Sequence, residues 1–99
     1  MKVFISSVMN GKTEDQIIAE REDVIDLLRT AEDGEVEIID SVLKAENKPS
    51  LWYLGESIKL MADADLVVFA PGWEKGRGCL IEHECASKYG IPILELPYI

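Results

Sequence analysis

The sequence lacks the features of membrane, nucleic-acid-binding and disulfide-stapled proteins. No apolar run approaches the ~20 residues of a membrane span, and the N-terminal apolar stretch is too short for a signal peptide. Its two cysteines, Cys79 and Cys85, stand six apart in a predicted helix, where about 600° of rotation prevents a disulfide. Ten basic residues against nineteen acids give a net charge of -9, which repels phosphate backbones and anionic lipids. We therefore expect a reduced, cytoplasmic protein with no nucleic-acid or membrane partner.

The chain has what one compact domain needs. Its 99 residues fall short of a typical two-domain length, so residues 1–99 are predicted to form a single domain. Hydrophobic residues make up 47 % of the chain, enough for a core that needs no disulfide.

Short β-branched runs alternate with amphipathic stretches, which predicts strands and helices in alternation. Thr13 and Gln16 form a capping box that begins a helix to about Ala31, and Gly34 ends it. Ser50 is predicted to cap the second helix, after a polar loop. The strands are predicted at Lys2–Ser6, Val36–Asp40, Leu66–Ala70 and Ile91–Leu96, and the later helices at Leu51–Ala62 and from the Gly72–Gly78 loop to Tyr89.

Right-handed crossovers then give a three-layer α/β fold of the flavodoxin or Rossmann type. Its small parallel sheet is predicted to have strand order 2-1-3-4, with helices on both faces. Ligands of such sheets bind at the carboxyl ends of the strands, between strands one and three. The segments at this edge are Ser6–Lys12, Asp40–Ser41, Pro71–Glu82 and the end of strand four.

One acid falls inside the apolar stripe of the third helix. On a helical wheel with ~100° per residue, the apolar residues form a stripe that has Ile81 at one edge and Cys79 at the other, and Glu82 lies within it. Glu84 lies on the opposite side of the helix, beside Lys88. A carboxylate facing inward at this edge suits nucleophilic or acid–base chemistry. The alternative is a structural glutamate that caps the backbone amides before the helix.

A base occupies the corresponding position of the first helix. Arg21 lies near the middle of a stripe that includes Ile17 and Leu28. Three interpretations are open: the guanidinium reaches the edge of the sheet, it pairs with a buried acid such as Glu82, or it binds a ligand anion.

The loop after the first strand matches no nucleotide-binding fingerprint. It contains Ser6, Ser7, Asn10 and Gly11, without the glycine spacing of a dinucleotide-binding loop or a P-loop. His83 has no partners at metal-ligand spacing and is predicted to lie on the surface. We therefore expect no metal and no cofactor.

Three segments resemble the nucleoside 2-deoxyribosyltransferase family and the related 2'-deoxynucleoside 5'-phosphate N-hydrolases, particularly a small phage and bacterial branch. They are Val3–Gly11, Ala64–Val68 and Gly78–Ile93, and the resemblance that they carry extends over nearly the whole chain. The family pattern in the last segment consists of a glycine-rich loop, a catalytic glutamate, a small residue four positions later and a Gly-x-Pro. Here these positions are Gly78, Glu82, Ala86, Gly90 and Pro92.

The resemblance implies cleavage of an N-glycosidic bond by a carboxylate that attacks the anomeric carbon of a sugar. Glu82 would be the nucleophile, and Trp73 would form a wall against the base. The other implied ligand contacts are Ser6, Ser7, Asn10, Gly11, Arg21 and Gly78.

The chain departs from the family at three positions. Val3 replaces a tyrosine, Glu84 a small residue, and Lys59 the acid expected in the second helix. Asp40 is the nearest replacement for the missing second carboxylate. The alternatives to an enzyme are a module that binds or sequesters a nucleotide derivative, and an interaction protein that keeps only the fold.

We also expect a homo-oligomer, either a dimer or a tetramer. A four-stranded domain offers a shallow edge to a nucleoside or nucleotide, so a second subunit would help to enclose the ligand. Trp52 and Tyr53 begin the expected contact surface on the second helix, to which the apolar tail Leu96–Ile99 adds.

Overall fold

The computed structural model describes residues 1–31, 35–41 and 47–97 and confirms the predicted fold class. A four-stranded, all-parallel sheet has the order β2-β1-β3-β4, the order expected from right-handed crossovers. Helices of the described residues pack on both faces. The strands are β1 Lys2–Ser6, β2 Glu37–Ile38, β3 Leu66–Phe69 and β4 Ile93–Glu95, and the helices are α1 Glu14–Ala31, α2 Ser50–Met61 and α3 Arg77–Lys88.

The first helix begins as predicted. The Thr13 amide donates to Gln16 Oε1 at 2.9 Å, and the Gln16 amide donates to Thr13 Oγ1 at 3.2 Å, which together form the capping box. The residue predicted to end this helix, Gly34, lies outside the described residues, as do residues 42–46 of the following loop.

The prediction of Ser50 as the cap of α2 is wrong. Pro49 occupies the cap position in extended backbone, and no side-chain hydrogen bond caps the helix. Ser50 is already helical, and the Trp52 amide donates to the Pro49 carbonyl at 3.0 Å.

None of the helices in the described ranges has the length and hydropathy of a membrane span.

Both edge strands are shorter than predicted. The ladder of β2 covers only Glu37 and Ile38, and that of β4 covers Ile93–Glu95. Each edge strand has a neighbour on one side only, so fewer hydrogen bonds hold its ends. The central pair β1 and β3 runs in register from Val3 beside Leu66 to Ser6 beside Phe69.

The core has two halves, one on each face of the sheet. Alternate residues of β1 and β3 point to opposite faces, as strand geometry requires. Val24, Ile25 and Leu28 of α1 pack against Val3, Ile5 and Val68 on one face. On the other face, Phe4, Val67 and Phe69 pack against Met61 of α2 and Ala86 of α3.

The third helix is rotated from its predicted orientation. Cys79, Glu82 and Ala86 are its buried residues, whereas Ile81 is 40 % exposed and Tyr89, just beyond the helix end, is 84 % exposed. Cysteine and alanine are small, so this face of α3 lies close to the sheet. The inward position predicted for Glu82 is confirmed, and that predicted for Ile81 is wrong.

Candidate functional site

A buried hydrogen bond joins β1 to α3 at the carboxyl end of the sheet. Ser6, the last residue of β1, donates from Oγ to Glu82 Oε1 at 2.9 Å. Ser6 is 2 % exposed and Glu82 is 7 % exposed. The carboxyl group therefore lies beneath the surface, at the edge where α/β sheets bind their ligands.

Burial changes the acidity of Glu82. Desolvation disfavours its ionised form and raises its pKa to about 7, while the hydrogen bond from Ser6 acts in the opposite direction. Near neutral pH both the acid and the carboxylate are populated. Such a group can act as a nucleophile when ionised and as a proton donor when protonated.

Cys79 adjoins this pair and is a site residue that sequence reasoning missed. Its buried thiol interacts with the Ser6 hydroxyl, and burial raises the pKa of the thiol, an effect that the charge of Glu82 reinforces. Cys79 precedes Glu82 by three residues, so both face the sheet from one side of α3. This three-residue spacing from Glu82 is the feature of the sequence that could have identified Cys79 as a site residue. Cys79 and Cys85 are free thiols, as predicted.

The loops that follow β1 and β3 meet above Cys79. A Cβ atom at Gly76 would lie 2.8 Å from Val8 Cγ2 and 3.2 Å from Cys79 Sγ. A side chain at position 76 would therefore force the Val8 methyl group to shift. The close approach of the two loops places Val8 beside the group formed by Ser6, Cys79 and Glu82.

Arg21 and Asp40 lie at the end of β2 rather than at Glu82. The half-buried guanidinium of Arg21 donates to Ser41 Oγ at 3.1 Å and to the Ile39 carbonyl at 2.7 Å. Burial lowers the pKa of Arg21, and the nearby Asp40 carboxylate opposes that effect. Asp40 is not among the groups that shift the pKa of Glu82. Of the three interpretations of Arg21, these contacts favour the one in which its guanidinium reaches the edge of the sheet.

The loop after β1 provides the remaining predicted ligand contacts. Ser7 is half-buried, whereas Asn10 and Gly11 are exposed, and Gly11 has a φ of +79°, which favours glycine. Lys12 donates from Nζ to Glu20 Oε2 at 2.6 Å, which ties the end of the loop to α1. Asn10 thus lies where a ligand can reach it from solvent.

Trp73 has an unexpected partner. Its ring stacks on His83, with centroids 4.5 Å apart and planes 6° from parallel, and both rings adjoin Phe69. His83 Nε2 lies 2.7 Å from Glu95 Oε2 of β4. His83 was predicted to lie on the surface, and these contacts leave it half-buried at the surface rather than fully exposed. One face of Trp73 is therefore occupied by the protein itself.

The other features of α3 fit its sequence. Glu84 forms an exposed ion pair with Lys88 at 3.7 Å, as its spacing predicts. A Cβ atom at Gly78 would lie 3.8 Å from Leu54 Cδ1, so this glycine faces α2. In the part of the chain that the structure describes, no three His, Cys, Asp or Glu side chains converge as metal ligands do.

The fold and the site define a doubly wound α/β domain with a buried carboxyl group at the carboxyl end of its central strands. A family model described as a domain of unknown function, DUF4406, matches residues 1–95. The chain belongs to the DUF4406 family. Neither the curated proteins nor the solved structures compared with the chain include a match.

The raised pKa of Glu82 predicts a specific pH dependence of stability. Between the ordinary glutamate value of about 4.3 and about 7, the unfolded chain loses its proton while the folded chain keeps it. The wild type should therefore lose stability as pH rises through this window. Glu82→Gln removes the titration, so its stability relative to wild type should rise by on the order of 3 kcal/mol between pH 4 and 8.

Urea unfolding monitored by circular dichroism across this pH range measures the effect. Glu84→Gln is the matched control, because Glu84 is exposed on the same helix. Its stability should follow the wild-type pH profile. Parallel profiles for wild type and Glu82→Gln would contradict a buried, protonated Glu82.

Proposed function

We propose that this protein cleaves the N-glycosidic bond of a nucleoside or nucleotide, or transfers the deoxyribosyl group, with Glu82 as the nucleophile. The supporting observation is the buried carboxyl group, held by Ser6 at the ligand-binding edge of the sheet. The resemblance of the Gly78–Ile93 segment to the deoxyribosyltransferases selects the same residue.

In the proposed reaction, the ionised carboxylate attacks the anomeric carbon of the sugar. Ser6 engages Oε1, so we assign the attack to Oε2. A new C–O ester bond forms as the C–N bond breaks, and the base leaves with the bonding electron pair and takes up a proton. Water or an acceptor base then displaces Glu82 from the sugar, giving hydrolysis or transfer.

The hydrogen bond from Ser6 has a defined role in this scheme. It favours the carboxylate over the acid and fixes the rotamer of Glu82, so that the attacking oxygen is already oriented. Ser6 is thus a positioning residue rather than a direct ligand of the sugar. Ser7 and Asn10 remain the candidates to bind the sugar hydroxyls.

One observation favours a second candidate function, a module that binds a nucleotide derivative without cleaving it. Glycosidases of the retaining type use two carboxyl groups about 5 Å apart. Asp40, the candidate for the second one, acts electrostatically on Arg21 rather than on Glu82. If Asp40 does not protonate the leaving base, that proton would have to come from another acid, from solvent or from the substrate.

Substitution of the two neighbouring glutamates tests the reaction. Incubation with a panel of deoxynucleosides and deoxynucleotides, followed by chromatography of free base, should show base release by the wild type. Glu82→Ala should lower it at least a thousandfold, the usual scale for loss of a nucleophile. Glu84→Ala, which alters an exposed ion pair, should retain most of it.

Intact mass spectrometry should detect the deoxyribosyl group on wild-type protein and not on Glu82→Ala. Equal losses in the two variants would contradict Glu82 as nucleophile. Ligand-induced thermal stabilisation of the wild type without base release would instead support the binding module.

We further propose that the protein is a homodimer, or a dimer of dimers, that pairs through α2. Leu51 at its start is 75 % exposed, next to the edge-to-face pair of Trp52 and Tyr53. Sedimentation at micromolar concentration should give at least a dimer, and Leu51→Glu should dissociate it. Leu27→Glu, on the opposite face of the sheet, should leave it intact. A wild-type monomer would contradict the proposal.

A further inference from the structure

Glu82 is less accessible than a nucleophile has to be at the moment of attack. The residue is 7 % exposed, and Ser6, which holds its Oε1, is 2 % exposed. In the proposed reaction the attacking oxygen must come within about 3.5 Å of the anomeric carbon, so a whole sugar ring has to reach the carboxyl group. Part of the structure that covers Glu82 therefore has to move before a substrate can bind.

The turn between β3 and α3 lies against the face of α3 that carries Glu82. Residues 72–76 form this turn, which includes a short 3-10 helix at Trp73–Lys75, and we call it the Trp73 turn. A Cβ atom at Gly76, the end of the turn, would lie 3.2 Å from Cys79 Sγ. Cys79 and Glu82 are one helical turn apart and are both buried. The Trp73 turn thus covers the segment of α3 from which Glu82 extends.

The Trp73 turn can move as a unit. Its own backbone hydrogen bonds run from the Lys75 amide to the Gly72 carbonyl at 3.1 Å and from the Gly76 amide to the Trp73 carbonyl at 3.0 Å. One further bond, from the Trp73 amide to the Ala70 carbonyl at 3.1 Å, ties its start to the end of β3. Gly72 has a φ of +84°, and a Cβ atom there would meet nothing within 4 Å among the described residues. Gly72 is therefore suited to act as a hinge.

The indole ring of Trp73 is held by two aromatic side chains. The ring of His83 stacks on it, with centroids 4.5 Å apart and planes 6° from parallel. The Phe69 centroid lies 5.2 Å from that of Trp73 and 4.9 Å from that of His83, so Phe69 packs beside the stack. His83 alone therefore supplies the parallel ring contact that ties the Trp73 turn to α3.

Glu95 fixes the ring of His83. Its Oε2 lies 2.7 Å from His83 Nε2, and the pair joins α3 to β4. An ionised carboxylate can only accept a hydrogen bond, so Nε2 carries the hydrogen in this pair. The bond sets the rotation of the imidazole ring and so keeps it parallel to the indole of Trp73.

We propose that the Trp73 turn is a gate over Glu82, and that His83, oriented by Glu95, is the latch that holds the gate closed. The inference rests on the proposed function only for what enters the site. When the gate opens, the stack breaks, because the indole moves with the turn while His83 stays on α3. The closed gate keeps water from the glycosyl ester, and the open gate admits the substrate. His83 is thus a positioning residue and not a catalytic one.

Chemical labelling of carboxyl groups measures how often the gate is open. A water-soluble carbodiimide with an excess of glycine ethyl ester converts accessible carboxyl groups to amides at a fixed pH. Trypsin, which cleaves after Arg77 and Lys88, then releases residues 78–88 as one peptide. That peptide contains Glu82 and the exposed Glu84, which serves as an internal reference. Tandem mass spectrometry gives the labelling rate of each.

In the wild type, Glu82 should be labelled at least tenfold more slowly than Glu84. His83→Ala and Trp73→Ala should each raise the rate at Glu82 about tenfold, the scale for loss of one aromatic contact, and leave Glu84 unchanged. The double variant should be labelled no faster than either single variant, because both changes remove the same contact.

Two glutamate variants separate the latch from charge effects. Glu95→Gln weakens the bond that orients His83, so it should raise the labelling rate of Glu82 two- to threefold. Glu56→Gln makes the same change in charge in a surface pair with Lys59 on α2, and it should have no effect. If His83→Ala fails to fold, Glu95→Gln still decides, since an unchanged rate would contradict the latch.

Hydrogen exchange shows whether the rest of the fold stays closed. The amides of Val67 and Val68 in β3 should keep their wild-type protection in every variant. If they lose protection as Glu82 becomes accessible, the whole domain opens and the gate is wrong. Wild-type labelling of Glu82 as fast as that of Glu84, or wild-type rates in the His83 and Trp73 variants, would also overturn the proposal.

None of these rates depends on catalysis. Faster labelling of Glu82 in the latch variants, without base release from any member of the substrate panel, would support the gate and contradict the proposed function. Base release by the wild type, with labelling rates that the variants do not change, would support the proposed function and contradict the gate.

Discussion

The hydrogen bond between Ser6 and Glu82 depends on most of the structure around it. A carboxyl group that is almost fully buried needs a polar partner, and Ser6 at the end of β1 provides one. The bond forms only if α3 lies close to the sheet, which Cys79 and Ala86 permit through their size. The Gly76 backbone then passes closely beside Val8. The position of the Glu82 carboxyl group thus depends on the strand order of the sheet, on the rotation of α3 and on the conformation of the loop before it.

The fold could be predicted from the sequence because its determinants are local and repeated. Alternating β-branched and amphipathic segments specify a parallel sheet, and crossover handedness leaves few strand orders. Thr13 and Gln16 mark the start of α1 by direct contact with each other. The wrong predictions concern features that depend on contacts between residues distant in the sequence. Ile81 is exposed because the sheet selects the small-residue face of α3, a choice that hydrophobicity alone does not reveal.

The candidate site was partly predictable for the same reason. Helical spacing identified Glu82, since an acid inside an apolar stripe must be buried or displaced. It did not identify the partner, because Ser6 is 76 residues away and meets Glu82 only across the sheet. The stack of His83 on Trp73 likewise requires the β3–α3 loop to fold back onto its own helix. Such contacts depend on tertiary distances rather than on sequence pattern.

The most direct test of this account is the titration of the Glu82 carboxyl carbon, followed by carbon-13 NMR in protein labelled at glutamate side chains. The account predicts a midpoint near pH 7, because burial raises the pKa of this group. It also predicts that Ser6→Ala moves the midpoint higher, because the hydrogen bond favours the ionised form. A midpoint in the ordinary glutamate range, or one unchanged by Ser6→Ala, would contradict a buried carboxyl group held by β1.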